Sequence, residues 1–405
     1  MNVTAQQCKG EGMIRGVAGR RGLVTAGLAS ALLGGLPSSA LAQSKGDPIP
    51  IGAVSTLSGS FTFPEATAAA AAVFDRVNAQ GGVGGRVIKY LVEDDKLDPG
   101  AATQAARRLV DSQGVYAQVG SASLLECTAN ANFYKQRGVY SIQGTGVDPA
   151  CFSTPSISPV NTGPYTGLVI SLYFASEVLG HKKVCSFASG NPVQQPGWRA
   201  AIERYTKITG KAPALDERNV GNNDDMTSFV LKAKKAGCDA SVFVGIEPQV
   251  VSWMQAAKAQ NITGITWIFL TPAYTERVAE VLAKDGEGIY ANSEFEPFLS
   301  PSPVLEDWNK LMKEKGVPLT SFSEGGYLAA TVMVDVLKGI KGEITRETVS
   351  EALRNLRSYK TPLIGTPYSV GTADKHTPNS SSKFVRLVGG KWEVATPDDF
   401  VRLPD

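Results

Sequence analysis

Residues 49–92 read IPIGAVSTLSGSFTFPEATAAAAAVFDRVNAQGGVGGRVIKYLV. Ile49–Val54 is a short apolar run of strand type. The Ala-rich stretch 64–79, with Val73, Phe74 and Val77, has the composition of a helix packed closely by small residues. Val87–Val92 is a second strand. A strand, a helix and another strand form a βαβ unit, which implies a parallel sheet with helices on both faces. The alternation continues through helix 100–112, strand 115–119, helix 123–137 and strand 139–142. A second series follows the Pro- and Ser-rich stretch 153–165. It holds helix 165–179, strand 183–187, helices 197–209 and 225–236, strand 240–244, helix 248–260, strand 265–270 and helix 274–283. Residues 288–298 lack a helical period. Helices are expected near 302–315, 322–340 and 345–355, then strands at 366–370, 383–388 and 391–395. The fold class is therefore α/β with two doubly wound lobes, and late helices after two βαβ series imply more than one crossing between them.

Residues 1–42 differ from the rest. A basic region with Arg15, Arg20 and Arg21 precedes the apolar, small-residue stretch Leu23–Leu36, and Pro37–Ala42 ends in an A-x-A pattern. This is the pattern of a cleaved signal peptide over 1–42. A disordered or amphipathic N-terminus is the alternative. The apolar run is too short and too rich in Gly and Ala to span a bilayer. Arg20-Arg21-Gly-Leu-Val permits the twin-arginine route beside the general one, and translation beginning at Met13 would shorten the polar lead. No Cys follows the cleavage site, so no lipid anchor is expected. A protein exported to the periplasm, without stable membrane insertion, is the expectation.

Charge and cysteine count agree with that. Forty Lys and Arg against 38 Asp and Glu give +2, and residues 1–42 carry four basic and one acidic side chain, so the remainder nets −1. Such a balance attracts neither nucleic acid nor an anionic membrane. Beyond Cys8, four cysteines remain: Cys127, Cys151, Cys185 and Cys238. An even number in an exported chain suggests disulfides. Three pairings are possible; Cys127–Cys151 with Cys185–Cys238 keeps each bridge within one lobe and is favoured. Zinc would require CxxC or His spacing, which is absent.

Three motifs in order carry a resemblance. Ile51-Gly-Ala-Val-Ser-Thr-Leu-Ser-Gly59 is followed by Asn78-Ala-Gln-Gly-Gly-Val-Gly-Gly-Arg86 and then Glu93-Asp-Asp-Lys-Leu-Asp-Pro99, with an Ala/Arg-rich helix behind. Together they resemble the leucine/isoleucine/valine-binding type of periplasmic binding protein, whose members serve ABC importers. The resemblance implies the type I periplasmic binding fold, with three crossovers near 160–164, 292–297 and 360–366. It implies lobe I over 47–162 and 296–362, and lobe II over 163–295 and 363–405. It implies a small-molecule ligand held between the lobes and an ABC transporter permease as partner. Independently of the name, strand C-termini in open α/β sheets leave a crevice, helix N-termini there suit a carboxylate, and two facing crevices can bury a small ligand.

The candidate ligand residues lie on these loops. On Ser55–Phe63, Ser58, Gly59, Phe61 and Phe63 form a cleft lip, or the Phe rings simply pack the loop on its own helix. On 120–125, Ser121 or Ser123 can donate to a ligand, or one of them N-caps the following helix. The resemblance implies a carboxylate-binding serine near here, but its position falls on Leu124. Gly144 and Thr145 match in type the small and hydroxyl residues that the resemblance implies after strand 139–142; a flexible turn is the alternative. In the second lobe, family members place an aromatic residue where this chain has Pro196, so Trp198 either supplies the apolar wall or is core. Glu247 meets a cation or favours a helix N-terminus. Ala273 stands where the resemblance implies an amine-binding acid, which leaves Tyr274 as the contact. Tyr327, in Phe322-Ser-Glu-Gly-Gly-Tyr327, is expected to reach the cleft. These departures make free branched-chain amino acid binding weak unless substitute contacts exist, and favour a small organic carboxylate or amide with apolar bulk.

An enzyme is not expected. The two histidines, His181 and His376, give neither a metal pair nor a triad. Gly81-Gly-Val-Gly-Gly85 follows a helix and lacks Lys-Ser/Thr, so it is a turn rather than a phosphate loop. Glu93-Asp94-Asp95 reads as a strand-end turn. No cofactor is expected. A ligand-sensing receptor module of the same fold is the second reading, because one fold serves both roles.

Overall fold

The computed structural model describes residues 46–59, 62–221, 223–376, 379–396 and 398–404; the signal peptide expected over 1–42 and Phe61 lie outside them. The first sheet contains β1 (Ile49–Ser55), β2 (Ile88–Asp94), β3 (Ala117–Val119) and β4 (Tyr140–Ile142), in the order β2-β1-β3-β4 and parallel throughout. β1 is buried along almost its whole length, as a central parallel strand covered on both faces must be. Helix α1 (Pro64–Ala79) covers one face, while α2 (Pro99–Arg107) and α3 (Glu126–Arg137) cover the other.

The second sheet begins after α4 (Gly163–Tyr173). It holds β5 (Val184–Ser189), β6 (Leu215–Val220), β7 (Ala240–Phe243), β8 (Thr266–Phe269), β9 (Tyr290–Ser293), β10 (Ser381–Val388) and β11 (Lys391–Val394). Their order is β11-β10-β9-β8-β7-β5-β6, and β12 (Val401–Arg402) pairs with β10. The strands from β6 to β9 are parallel and β10 is antiparallel to β9. Helix α4 and α5 (Gln195–Thr209) pack on one face; α6 (Thr227–Ala236), α7 (Glu247–Ala259) and α8 (Glu276–Leu282) pack on the other. Phe187, Phe243 and Trp253 interlock there, with ring centroids 4.4 Å and 5.0 Å apart; burial of each such side chain contributes about 1.5–3 kcal/mol.

Between β9 and β10 the chain returns to the first sheet as α9 (Glu306–Lys315), α10 (Ser321–Gly339) and α11 (Arg346–Arg354). Helix α10 lies on α1 because both are lined by small residues. A Cβ on Gly326 would stand 1.9 Å from the Ala66 carbonyl oxygen, and one on Gly325 would stand 2.4 Å from that of Gly144.

Two expectations are corrected. Residues 366–370 form no strand: Pro367 has no N–H to donate, and only a single antiparallel bridge, Tyr359 to Tyr368, is made. Strand β6 was not expected. It is an edge strand carrying Asp216, Glu217 and Arg218 on a half-buried surface, so it lacks the apolar alternation that marks an interior strand. Disulfides join Cys127 to Cys151 and Cys185 to Cys238. Cys127, Asp148 and Cys151 approach each other as metal ligands would, but the bridge leaves no thiolate to bind one.

Candidate functional site

The loops that follow the first sheet's strands are tied by a buried polar network. Ser55 Oγ donates to the Ala122 carbonyl at 2.8 Å, and Thr56 Oγ1 donates to the Asp95 carboxylate at 3.0 Å. Ser123 Oγ also donates to Asp95, while accepting from the N–H groups of Leu125 and Glu126. It thus closes the turn leading into α3 without occupying the N-cap position, which is Leu125 and carries no side-chain cap. Ser121 Oγ donates to Glu126 at 2.7 Å, beside donors from Gln143 and Tyr134. Burial pushes the Glu126 carboxyl up to about 7 despite these three bonds. Both serine hydroxyls are thus occupied within the protein.

Ser58 donates to Asp94, whose other oxygen accepts the N–H groups of Leu57, Ser58 and Lys96. Partial burial raises the Asp94 carboxyl, but these bonds outweigh it and hold it below its ordinary value. The N–H groups of Gly144 and Thr145 both reach the Ser121 carbonyl. Gly144 lies against Gly325 and Gly326, where a Cβ would come within 2.7 Å of backbone. Among the described residues, the Thr145 hydroxyl has no protein partner.

Phe63 is half-buried, and its ring lies 4.7 Å from that of Phe322 in the first turn of α10. Tyr327 takes a different direction. Its hydroxyl donates to Asp307 and its ring lies under Arg76, in a groove between α1 and α9. Five residues along a helix turn the side chain by about 140°, so Phe322 and Tyr327 cannot share one face. Phe322, which opens the segment from which Tyr327 was chosen, is the residue of that segment that meets Phe63.

At the second sheet's strand ends, Trp198 is 1 % exposed. Its ring packs 4.5 Å from Tyr165, which in turn meets Phe152 of the first sheet's last loop at 6.4 Å. Gly163 and Gly197 make room for this aromatic row; a Cβ on either would stand within 2.3 Å of a ring carbon. The Tyr165 hydroxyl and the Trp198 indole N–H are buried without hydrogen-bond partners. Glu247 is the first residue of α7, pairs with Arg277 at 3.2 Å and accepts from Thr275. The Glu247 carboxylate is thus engaged by groups of the protein itself, at the start of a helix. Tyr274 is buried, accepts the Leu299 N–H at 3.0 Å and packs on Phe298 at 4.2 Å; burial pushes its phenol far above the ordinary range.

Glu294 ties the chain segments that run between the sheets. Its carboxylate accepts Asn161 Nδ2 at 3.0 Å and the Gly163 N–H at 2.7 Å, and its carbonyl accepts Asn379 Nδ2. Burial pushes the Glu294 carboxyl up to about 7. The Glu296 N–H donates to the Leu363 carbonyl, and Lys383 pairs with Glu296 at 3.0 Å where both are nearly inaccessible. Among the described residues no helix is long and apolar enough to cross a membrane.

A family model described as periplasmic binding protein matches residues 48–391. The Leu/Ile/Val-binding protein homolog 7 of Brucella abortus is 23 % identical over 336 residues, covering 79 % of this chain and 82 % of that protein. Among solved structures, a branched-chain amino acid transporter substrate-binding protein of Streptococcus pneumoniae, in complex with isoleucine, superposes with a TM-score of 0.70. It is 20 % identical, and the match covers 88 % of this chain and 99 % of that one. A fatty acid ABC transporter substrate-binding protein of Thermomonospora curvata gives a TM-score of 0.68 at 20 % identity, covering 86 % and 91 %.

Proposed function

As the chain belongs to the periplasmic binding protein family, we propose that it captures a small organic molecule between two closing lobes and delivers it to an ABC transporter in the periplasm. Lobe I comprises 47–162 and 296–362, and lobe II comprises 163–295 and 363–405. The observation that carries the reading is the meeting of strand-end loops from two parallel sheets beside a bonded set of crossovers, with Phe152 of one packed on Tyr165 of the other. Rotation at those crossovers closes the lobes, and the ligand favours closure through contacts that exist only in the closed state.

The ligand class is an amino acid, amide or organic carboxylate with apolar bulk. Phe63 and Phe322 supply one apolar wall. Thr145 offers a hydroxyl to a carboxylate, in place of Ser121 and Ser123, whose hydroxyls already have partners. Relatives named for leucine and for fatty acids suit a family pocket that varies in polarity. Ser58 and Glu247 act at the rim by fixing their loops. Trp198 and Tyr274 back the aromatic surface from beneath, and the 1–42 segment directs export.

The test is a thermal-shift panel of amino acids, aromatic acids, aliphatic acids and amides. A ligand present at a hundredfold excess over its Kd stabilises the native state by about 2.7 kcal/mol, which raises Tm by a few degrees. A panel in which no member moves Tm overturns the proposal.

A further inference from the structure

The stretch 366–376 leaves the crossovers at one end and is tied back to them at the other. Thr366 Oγ1 accepts the Ser380 N–H at 3.0 Å and donates to Asn379 Oδ1 at 3.3 Å, beside the Asn379 bond to Glu294. In chain order this stretch belongs with the segment assigned to lobe II, yet its contacts are with loops of the first sheet. The Tyr368 hydroxyl donates to the Ser158 carbonyl at 2.6 Å, and Ser158 Oγ donates to the Ser369 carbonyl at 3.2 Å. The Val370 N–H donates to the Leu356 carbonyl. At the far end the His376 N–H donates to the Phe152 carbonyl at 2.9 Å, on the turn Pro149–Phe152. A segment with neighbouring ends and a body laid over another element acts as a strap.

What the strap holds is Phe152. The Phe152 ring fills the space beside Gly163, where a Cβ would stand 2.2 Å from a ring carbon, and it meets Tyr165 at 6.4 Å. Gly163 has a φ of 75° and gives its N–H to Glu294, so it is part of the first crossover. Rotation there moves Gly163 and Tyr165 past Phe152. The Cys127–Cys151 bridge fixes one side of the turn, and the strap's bond to the Phe152 carbonyl fixes the other.

His376 makes this hold sensitive to protons. It is 7 % exposed, and its Nε2 is buried without a hydrogen-bond partner. Protonation would put an N–H there with no acceptor, which is costly in a buried place. Burial accordingly lowers the imidazole from its ordinary value of 6.5, against the opposing pull of the Thr154 and Ala373 carbonyls and of Asp374. The other charged groups around it are committed elsewhere or face solvent. Asp148, at the head of the turn, accepts the N–H groups of Thr128 and Ala150. Arg357, against Gly371, donates to the carbonyls of Arg354 and Leu356. Lys375 is exposed.

We propose that residues 366–376 are a pH-sensitive strap: at neutral pH it pins Phe152 against the first crossover, and in mild acid His376 leaves its place and frees the turn. The strap itself does not depend on what the cleft binds; its effect on lobe rotation rests on the reading above. A basic group with a depressed folded value stabilises the closed strap above its free value, and that stability is lost as pH falls through 6.5 toward the folded value. The opening equilibrium is therefore expected to rise about tenfold between about pH 7.5 and about pH 5.5. Glu126 and Glu294, raised by burial, act in the opposite sense and are fully stabilising in acid.

Hydrogen exchange on the protein without added ligand, at those two pH values and corrected for the intrinsic pH dependence of exchange, tests this. Peptides covering 149–158 and 368–376 are expected to lose about tenfold of their protection in acid, while α7, in the second sheet's core, keeps its own. His376→Asn keeps a donor near the backbone but has no ring to protonate. In that variant the two peptides are expected to be equally protected at both pH values, whatever the level. Unchanged protection in the wild type, a loss shared by α7, or an undiminished pH response in His376→Asn would overturn the strap. None of these results touches the ligand reading, since no ligand is present. The wild-type comparison decides the matter even if the variant fails to fold.

Discussion

At the scale of single residues, two glycines on one helix have opposite requirements. Gly326 has no room for a methyl group, because the backbone of Ala66 fills that space, whereas Gly339, at the other end of α10, has nothing within 4 Å. Gly326→Ala is expected to destabilise the protein by about 1–3 kcal/mol through overpacking, despite the gain in helix propensity. Gly339→Ala is expected to stabilise it by about 0.5 kcal/mol. Urea denaturation of the two variants checks both signs; destabilisation of equal size in both would mean that propensity and backbone strain, not the contact with α1, govern the helix. Residue-scale legibility was uneven for the same reason. The hydroxyls of Ser121 and Ser123 were visible in the sequence as possible donors, but their acceptors, Glu126 and Asp95, become neighbours only through the fold.

At the scale of elements, the bridge between Cys127 and Cys151 does more than close a loop. It fixes the turn Pro149–Phe152 to α3 and so sets where Phe152 meets Tyr165. The second bridge, Cys185–Cys238, lies within the second sheet's core, far from that turn in the chain. Replacing either pair by Ser is expected to cost about 2–5 kcal/mol, but only loss of the first is expected to weaken ligand binding several-fold once folding is accounted for. Denaturation curves together with calorimetry on the two double variants separate these effects; equal loss of affinity in both would remove the special role of the turn. The helices and interior strands were readable because burial on both faces leaves a continuous apolar run in the sequence. Helix α1 begins at Pro64 and ends at Ala79, matching the span read from its Ala-rich composition. The edge strand β6 was unreadable because its charges satisfy solvent and neighbours rather than a core, with Lys232 paired to Glu217 and Arg218 to Asp216. Tyr327 was misplaced because helix phase cannot be anchored until one residue's direction is known, and Gly326 against Ala66 supplies that anchor.

At the scale of the whole molecule, buried acids make stability depend on pH. Glu126 and Glu294 each rise from 4.5 to about 7 on folding. A carboxyl with a raised folded value contributes its full stabilisation below the unfolded value and loses it as pH climbs through the folded one. Each of the two accounts for about 3 kcal/mol across that window, so the free energy of unfolding is expected to fall between roughly pH 4.5 and pH 7.5. The double variant Glu126→Gln, Glu294→Gln is expected to lessen that slope, the buried Glu324, also pushed well up, keeping part of it; a wild-type profile already flat over the window would show that these acids ionise as ordinary ones do. The contact between α1 and α10 has a consequence for the order of synthesis. Glu65 and Thr320, which bond across it, are 255 residues apart, and the second sheet's parallel core is made almost wholly from the chain between them. A nascent chain emerging from its N-terminus can therefore assemble most of its second half before it can finish its first. Until α10 arrives, α1 presents Ala66, Ala69, Ala70 and Val73 to whatever holds the unfinished chain. Long sequence separation slows such closure, so the first sheet's core is the last part of the molecule to be covered.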